Sequence, residues 1–399
     1  MSAWRSVHLG EVAEFIRGIT FTPEDVVPVG TAKTVACLRT KNVQAELDLS
    51  DLWAVDRSFV KRPDQRLQPG DVLVSSANSW NLVGRCCWIP ELPWDATFGG
   101  FVSVLRPDRE RIDPRFLFNW FRSRRVQETV RSFGQSTTNI SNLNVRRCLE
   151  LPLSIPALDE QRRIAQVLDR AEAQRAKRRL ALEQIDHLKQ AVFLDLFGHP
   201  STNPKGWPIH SVGDLLESAS YGTSQRAASV GETPVLRMNN ITRSGEVDVS
   251  DLKFMTLASS HRDRFSVRPG DLLFNRTNSV ELVGKTGVVR ESRPMAYAGY
   301  LIRLRSNNEN VSEYLWGFLN SVYAKSMLRG MCKSIIGMAN INATELQAMR
   351  IPRPPLALQR QFARQLAAIE KLKAAHRASL AQLDALFASL QHRAFRGEL

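Results

Sequence analysis

The residues able to do covalent chemistry are present in this chain, but not at the spacings that chemistry needs. Val283-Gly284-Lys285-Thr286 matches the tail of a phosphate-binding loop. The glycine that should open the cradle is Ser279, so the backbone donors that hold a phosphate have no scaffold. Arg353-Pro354-Pro355-Leu356 lacks both the amide or acid and the terminal aromatic with which an adenine-methylating site holds a flipped base. There is no G-x-G-x-x-G cofactor loop and no E-x-K element of a metal-dependent nuclease. The five cysteines are Cys37, Cys86, Cys87, Cys148 and Cys332, with no C-x-x-C pair. That odd number excludes a fully paired disulfide framework, the spacing excludes a zinc ribbon, and the free thiols fit a reducing cytoplasm.

A second chemistry is better represented, the reading of base edges. Arg and Lys pair with guanine, Asn and Gln with adenine, and the donors must sit on loops that can reach a groove. In the first half of the chain such loops supply Arg39, Lys41 and Asn42, then Ser76, Asn78, Trp80, Asn81 and Arg85, then Gln135 and Thr137. In the second half they supply Tyr221, Thr223, Ser224 and Arg226, then Arg237, Asn239 and Asn240, then Arg276, Asn278 and Lys285, then Lys333 and Ser334. An ordinary polar turn is the alternative for each. Asn78-Ser79 and Asn278-Ser279 are the same in both halves and read as structural; Ser76 against Arg276, and Trp80-Asn81 against Val280-Glu281, differ and read as selective.

The elements that position these residues come in duplicate. PGDVLVSSANSWNLVG at 69–84 and PGDLLFNRTNSVELVG at 269–284 share nine of 16 positions without a gap. The match runs outward in register through Leu38-Arg39 and Leu236-Arg237, Gly100-Phe101 and Gly299-Tyr300, and Gln161-Arg162 and Gln359-Arg360. Each copy has a mixed part with short strands launched by a Pro-Gly turn, expected at 71–75 and 271–275, and helices expected at 115–131 and 312–329. Each copy ends in a stretch free of Pro and Gly, 159–197 and 356–396.

The fold expected is α+β. Two tandem mixed heads, 1–155 and 199–355, alternate with two long helices, 156–198 and 356–399. In the second helix Phe362, Leu366, Ile369, His376, Leu380, Leu383, Phe387 and Leu390 keep a 4-3 spacing, interrupted at Lys373. In the first, Arg175 and Arg178 fall on the seam. The first helix leaves one head and the second leaves the other. Packing them together makes an antiparallel coiled coil with pseudo-two-fold symmetry and a head at either end.

With 54 Lys and Arg against 40 Asp and Glu, the formal net charge is +14. It divides as +3, +2, +5 and +4 over residues 1–155, 156–205, 206–355 and 356–399. A basic excess spread over heads and helices suits neutralisation of duplex phosphates better than a single basic tail would. No run of 18 apolar residues or secretory leader is visible, which points to a cytoplasmic protein.

These features together resemble one family. The 215–226 segment with YGTSQR, PVLRMNNI at 234–241, both Pro-Gly-Asp segments, PALDEQRR at 156–163, the Arg17–Phe21 segment and QHRAFRGEL at 391–399 are similar to the specificity subunits of prokaryotic type I restriction–modification systems. The resemblance covers the whole chain. It implies two target-recognition domains, each reading half of a bipartite asymmetric site in double-stranded DNA. It further implies helices that dock two modification subunits, through Gln161, Arg162, Gln359, Arg360, Phe395 and Arg396. Restriction subunits would join that core. S-adenosylmethionine would belong to the modification subunits and ATP and Mg to the restriction subunits, leaving this chain without cofactor, metal or catalysis. Two other classes remain to be told apart from it: a single-chain methyltransferase or nuclease, which would need an unrecognised site, and a coiled-coil scaffold that binds protein only.

Overall fold

A computed structural model describes residues 4–136, 140–335 and 338–399. It divides into two compact units, residues 1–177 with 380–399, and residues 178–379. The boundaries therefore fall inside the long helices rather than between helices and heads.

In unit 1 a four-stranded antiparallel sheet has the order Ala13–Arg17, Val102–Pro107, Val72–Ser75, Cys86–Trp88. Beside it Trp53–Asp56, Thr34–Leu38 and Ala96–Phe98 form a second sheet, in which the last two strands run parallel. Ala77–Asn78 adds a small third sheet with Ser141–Asn142 and Gln135–Ser136. Unit 2 repeats the plan: its main sheet is Leu216–Tyr221, Leu301–Ser306, Leu272–Asn275, Thr286–Val288. Its second sheet gains Ser266–Val267 after the helix Ser259–Phe265.

The repeated Pro-Gly-Asp turn is a clamp. Gly70 and Gly270 hold φ of 96° and 91°, a region open to glycine. The next residue, Asp71, is 1% exposed and takes Arg106 in two bonds of 2.8 Å. Asp271 takes Arg305 Nε at 2.8 Å and the Arg268 N–H at 3.0 Å. A buried carboxylate held by a planar guanidinium fixes the strand pair that carries the following loop.

Each expected head helix is in fact two: Pro114–Phe121 and Arg124–Ser132, and Ser312–Leu319 and Val322–Met331. The chain turns extended at Ser123 and Ser321 and restarts there, and the Ser321 hydroxyl accepts from Ala324 N–H at 3.2 Å.

The long helices, Leu158–Phe197 and Leu356–Ala394, contribute to the cores of the heads. In unit 1 Ile164, Leu168, Phe387 and Ala394 share a core with Phe116 and Trp120. Arg115 binds Asp169 at 2.6 and 2.9 Å, and Arg122 pairs with Glu172. In unit 2 Phe193, Phe197 and Phe362 pack on Tyr314 and Phe318. The glycine at 317 is required, because a Cβ there would meet the Phe193 ring at 2.4 Å.

Within each unit the two helices run antiparallel. In unit 1 Arg175 meets Asp384 at 2.6 Å. In unit 2 Arg178 meets His376 at 3.2 Å, Lys189 meets Glu370 at 2.5 Å, and Phe193 meets Phe362, so partners rise along one helix as they fall along the other.

The interruptions of the seam are filled by charge. Lys373, 3% exposed, pairs with Asp186 and with Glu246 from a head loop. Lys189, 1% exposed, joins Glu370 and Glu246, and Arg377 adds a third cation to Glu246 at 2.7 Å. Burial alone would raise the Glu246 carboxyl, but bonds from Lys373, Arg377 and Lys189 hold its pKa down at about 2. Burial presses Lys189 toward neutrality, yet Glu370 and Glu246 outweigh it and lift its pKa above the ordinary lysine value. Arg175 is accommodated in unit 1 by Glu172, Asp384 and the face of Phe387.

Candidate nucleic-acid interface

Four loops of each head converge on one edge of its main sheet. In unit 1 the loop after Ala13–Arg17 is tied there by Ile19 N–H to Phe98 carbonyl at 2.8 Å. The loop at Arg39 is tied by Gly99 N–H to Leu38 carbonyl at 2.9 Å. The hairpin at Ser76 is tied by its N–H to Phe101 carbonyl at 3.0 Å, and the third sheet by Leu143 N–H to Ser76 carbonyl at 2.8 Å. Unit 2 repeats all four ties: Thr223 to Tyr297 (3.0 Å), Ala298 to Leu236 (2.9 Å), Arg276 to Tyr300 (3.0 Å) and Ile341 to Arg276 (3.0 Å). Gly18 and Gly222 permit this convergence, since a Cβ at either would lie 2.3 Å from the carbonyl oxygen of Gly99 or Ala298.

The expected reading residues divide by exposure. Lys41, Trp80, Asn81, Tyr221, Ser224, Arg226 and Asn239 are exposed on these loops. Arg226, and Arg17 beside the first loop, have no ion pair among the described residues. Ser76, Asn78, Arg276 and Asn278 are half-buried at the hairpins. The Arg276 guanidinium lies over the Tyr221 ring at 4.8 Å, and the Tyr221 hydroxyl accepts from Ala343 N–H at 2.8 Å. Arg39 stacks on Trp53 at 3.5 Å and shares Asp51 with Lys41; Arg237 pairs with Asp251.

Several expected residues turn inward instead. Asn42 and Asn240 are buried, and each amide donates to two carbonyls, Asp48 and Asp51, or Asp248 and Asp251. Each also accepts the N–H of its own arginine, Arg39 or Arg237. Both hydrogens of each amide are spent on shaping the loop, so the donor that bidentate pairing with adenine needs is gone. Thr223 is buried and accepts from Gln225 N–H at 3.1 Å. Lys285 donates to the Met238 and Ile241 carbonyls, with its pKa lowered by burial and Arg243. Its counterpart Arg85 donates to Gln44 at 2.6 Å, so both tie the hairpin to the Arg39 or Arg237 loop. Gln135, Lys333 and Ser334 lie on strands whose side chains are not described, and Thr137 lies outside the described residues.

The residues expected to dock partner subunits also divide. Gln161 and Gln359 are enclosed within their own units. Each amide donates to a proline carbonyl before its helix, Pro156 or Pro354, at 2.9 Å and accepts the N–H of Asp113 or Val311. They join helix to head and cannot face a partner. Phe395 packs edge-on against Phe116. Arg162, Arg360 and Arg396 are exposed.

Sequence reasoning did not name Phe101 and Tyr300 among the candidate residues. They are 63% and 53% exposed at the point where the loops meet. The available signal was an aromatic after glycine at the same place in both copies. Among the described residues there is no His, Cys, Asp and Glu cluster able to hold a metal, and no helix long and apolar enough to cross a membrane.

Two α+β heads, each with the same loop edge and each built into a shared pair of long helices, define a tandem recognition module. The chain belongs to the type I restriction modification DNA specificity domain family, whose model matches residues 1–184 and again 204–385. It is 28% identical over 99% of its length to the type I restriction enzyme EcoKI specificity subunit of Escherichia coli K12, covering 89% of that protein. It is 26% identical, with the same coverages, to the StySPI specificity subunit of Salmonella potsdam. Among solved structures it resembles one described in work on complex assembly and conformational transition of the type I R-M system (19% identity, TM-score 0.60, 100% and 99% of the two chains). It also resembles the S subunit of M. genitalium (14%, TM-score 0.57, 98% and 96%). Its role is that of a DNA-recognition subunit, without catalysis of its own.

Proposed function

We propose that each head reads one half of an interrupted, asymmetric site in duplex DNA with its converging loop edge. The carrying observation is that both heads build this edge with the same main-chain ties but arm it differently. Ser76 faces the role of Arg276, Lys41 that of Asn239, and Trp80-Asn81 that of Val280-Glu281. Same scaffold and different donors is what two unlike half-sites require.

Shared by both units, the long helices set the separation of the half-sites. Their exposed faces, with Arg162, Arg360 and Arg396, dock two modification subunits. Those subunits carry S-adenosylmethionine, capture the flipped adenines and methylate them. Restriction subunits bring ATP and Mg to the same core. Mapping methylated adenines across the genome with and without this gene tests the reading. One bipartite motif should lose methylation when the gene is removed. An unchanged methylation map would overturn the proposal.

A further inference from the structure

A cleft of 440 Å³ opens at the loop edge of unit 1 between the loop at Arg17–Phe21, the Arg39–Lys41 loop, Trp53 and the turn Gly99–Phe101. This is within the range of roughly 300–1,000 Å³ typical of small-molecule sites. Three of its lining residues are aromatic: Phe21 meets Trp53 edge-on at 6.3 Å, Arg39 lies over the Trp53 ring at 3.5 Å, and Phe101 is 63% exposed. Gly99 and Gly100 also line it, no acidic residue is among its lining residues, and Arg17, Arg39 and Lys41 are cationic, the last two sharing Asp51. The Arg39 Nε is buried without a partner. Aromatic walls, an unspent donor and a cationic rim suit a planar heterocycle attached to a phosphate. The corresponding positions in unit 2 are Gln225, Lys253 and Tyr300, so two of the three aromatics are missing there.

We propose that this cleft receives one unstacked nucleobase of the target duplex, held against Phe101 and reached by Arg39, in the half-site read by the first head only. The inference rests on the DNA-reading assignment above and adds to it a base-extrusion site within the recognition chain itself. A side chain that takes a base from the stack must offset the cost of unpairing it, so a duplex already mispaired at that position should bind more tightly.

The test is a binding series with the assembled complex on its own target, once mapped, in which each base pair of both half-sites is mismatched in turn. Mispairing at the methylated adenines should tighten binding whatever residues 21 and 101 are, because the modification subunits extrude those bases. The expected result is one further position in the first half-site where the mismatch tightens binding about tenfold. That further gain should shrink to about twofold or less in Phe101→Ser and in Phe21→Ser, with no further position of this kind in the second half-site. A further gain that persists in both variants, or no gain in the first half-site apart from the methylated adenine, overturns the inference and leaves DNA reading intact. Failure of the wild-type complex to prefer its mapped target would instead overturn the reading on which the inference rests. Phe101 is surface-exposed, so its serine variant tests the pocket with little demand on the fold.

Discussion

Glu246 offers a sharp test of how a head is held on its helices. It accepts from Lys189 at 2.9 Å, Lys373 at 2.5 Å and Arg377 at 2.7 Å, and only 15% of its side chain is exposed. With Asp186 and Glu370 it balances three cations against three anions. Glu246→Gln keeps the shape and removes one charge, leaving two nearly fully buried lysines under-compensated. The fall of its pKa from 4.5 to about 2 corresponds to about 3 kcal/mol. Removing one partner of a buried ion pair characteristically costs about 3–5 kcal/mol. The folded pKa is depressed, so this contribution is complete above pH 4.5 and is lost as pH falls from there toward 2. Adding Lys373→Leu restores charge balance, two against two, and places an apolar residue on the seam, so the double variant should recover most of the loss. Hydrogen exchange in peptides covering 185–193 and 366–377 reads the opening energy of this region directly. A Glu246→Gln variant within about 1 kcal/mol of wild type, or a double variant no more stable than the single, would refute this role of Glu246.

Asn42→Ala or Asn240→Ala should cost about 2–4 kcal/mol in the stability of its own unit, because two carbonyls and an N–H lose their partner inside a loop. Thermal unfolding checks this, and a normal melting curve with altered target preference would restore the base-reading role instead. Burial lifts the pKa of Cys37, Cys86 and Cys148 to about 12 and raises that of Cys87 as well. In the native chain at pH 8, iodoacetamide should therefore label the half-buried Cys332 first, and mass spectrometry of the labelled sites decides it. Binding of the complex to DNA should weaken steeply with salt, and Arg226→Ala should reduce the slope of log affinity against log salt by about 1 if that residue meets a phosphate.

The internal repeat made most of this architecture readable. Two copies of one motif order imply two copies of one fold, and the long stretches without proline or glycine became helices almost to the residue. The split at Ser123 and Ser321 was hidden, because a serine restart leaves helical composition on both sides. Lys373 read as a flaw in the seam, since its partner Glu246 lies 127 residues away in the chain. The candidate site was legible as loops and less so as individual side chains. Asn42 and Asn240 have the right chemistry for adenine, but sequence does not show that nearby backbone groups consume it. Phe101 and Tyr300 carry no donor, so a search for hydrogen-bonding residues passed over them.

The proposed function needs two separable heads, each reading one half of the site. The most direct measurement replaces residues 206–355 with the matching segment of another family member and maps methylated adenines genome-wide. One half of the bipartite motif should change while the other half and the spacing stay as they were. A change in both halves, or in neither, would overturn the two-head reading.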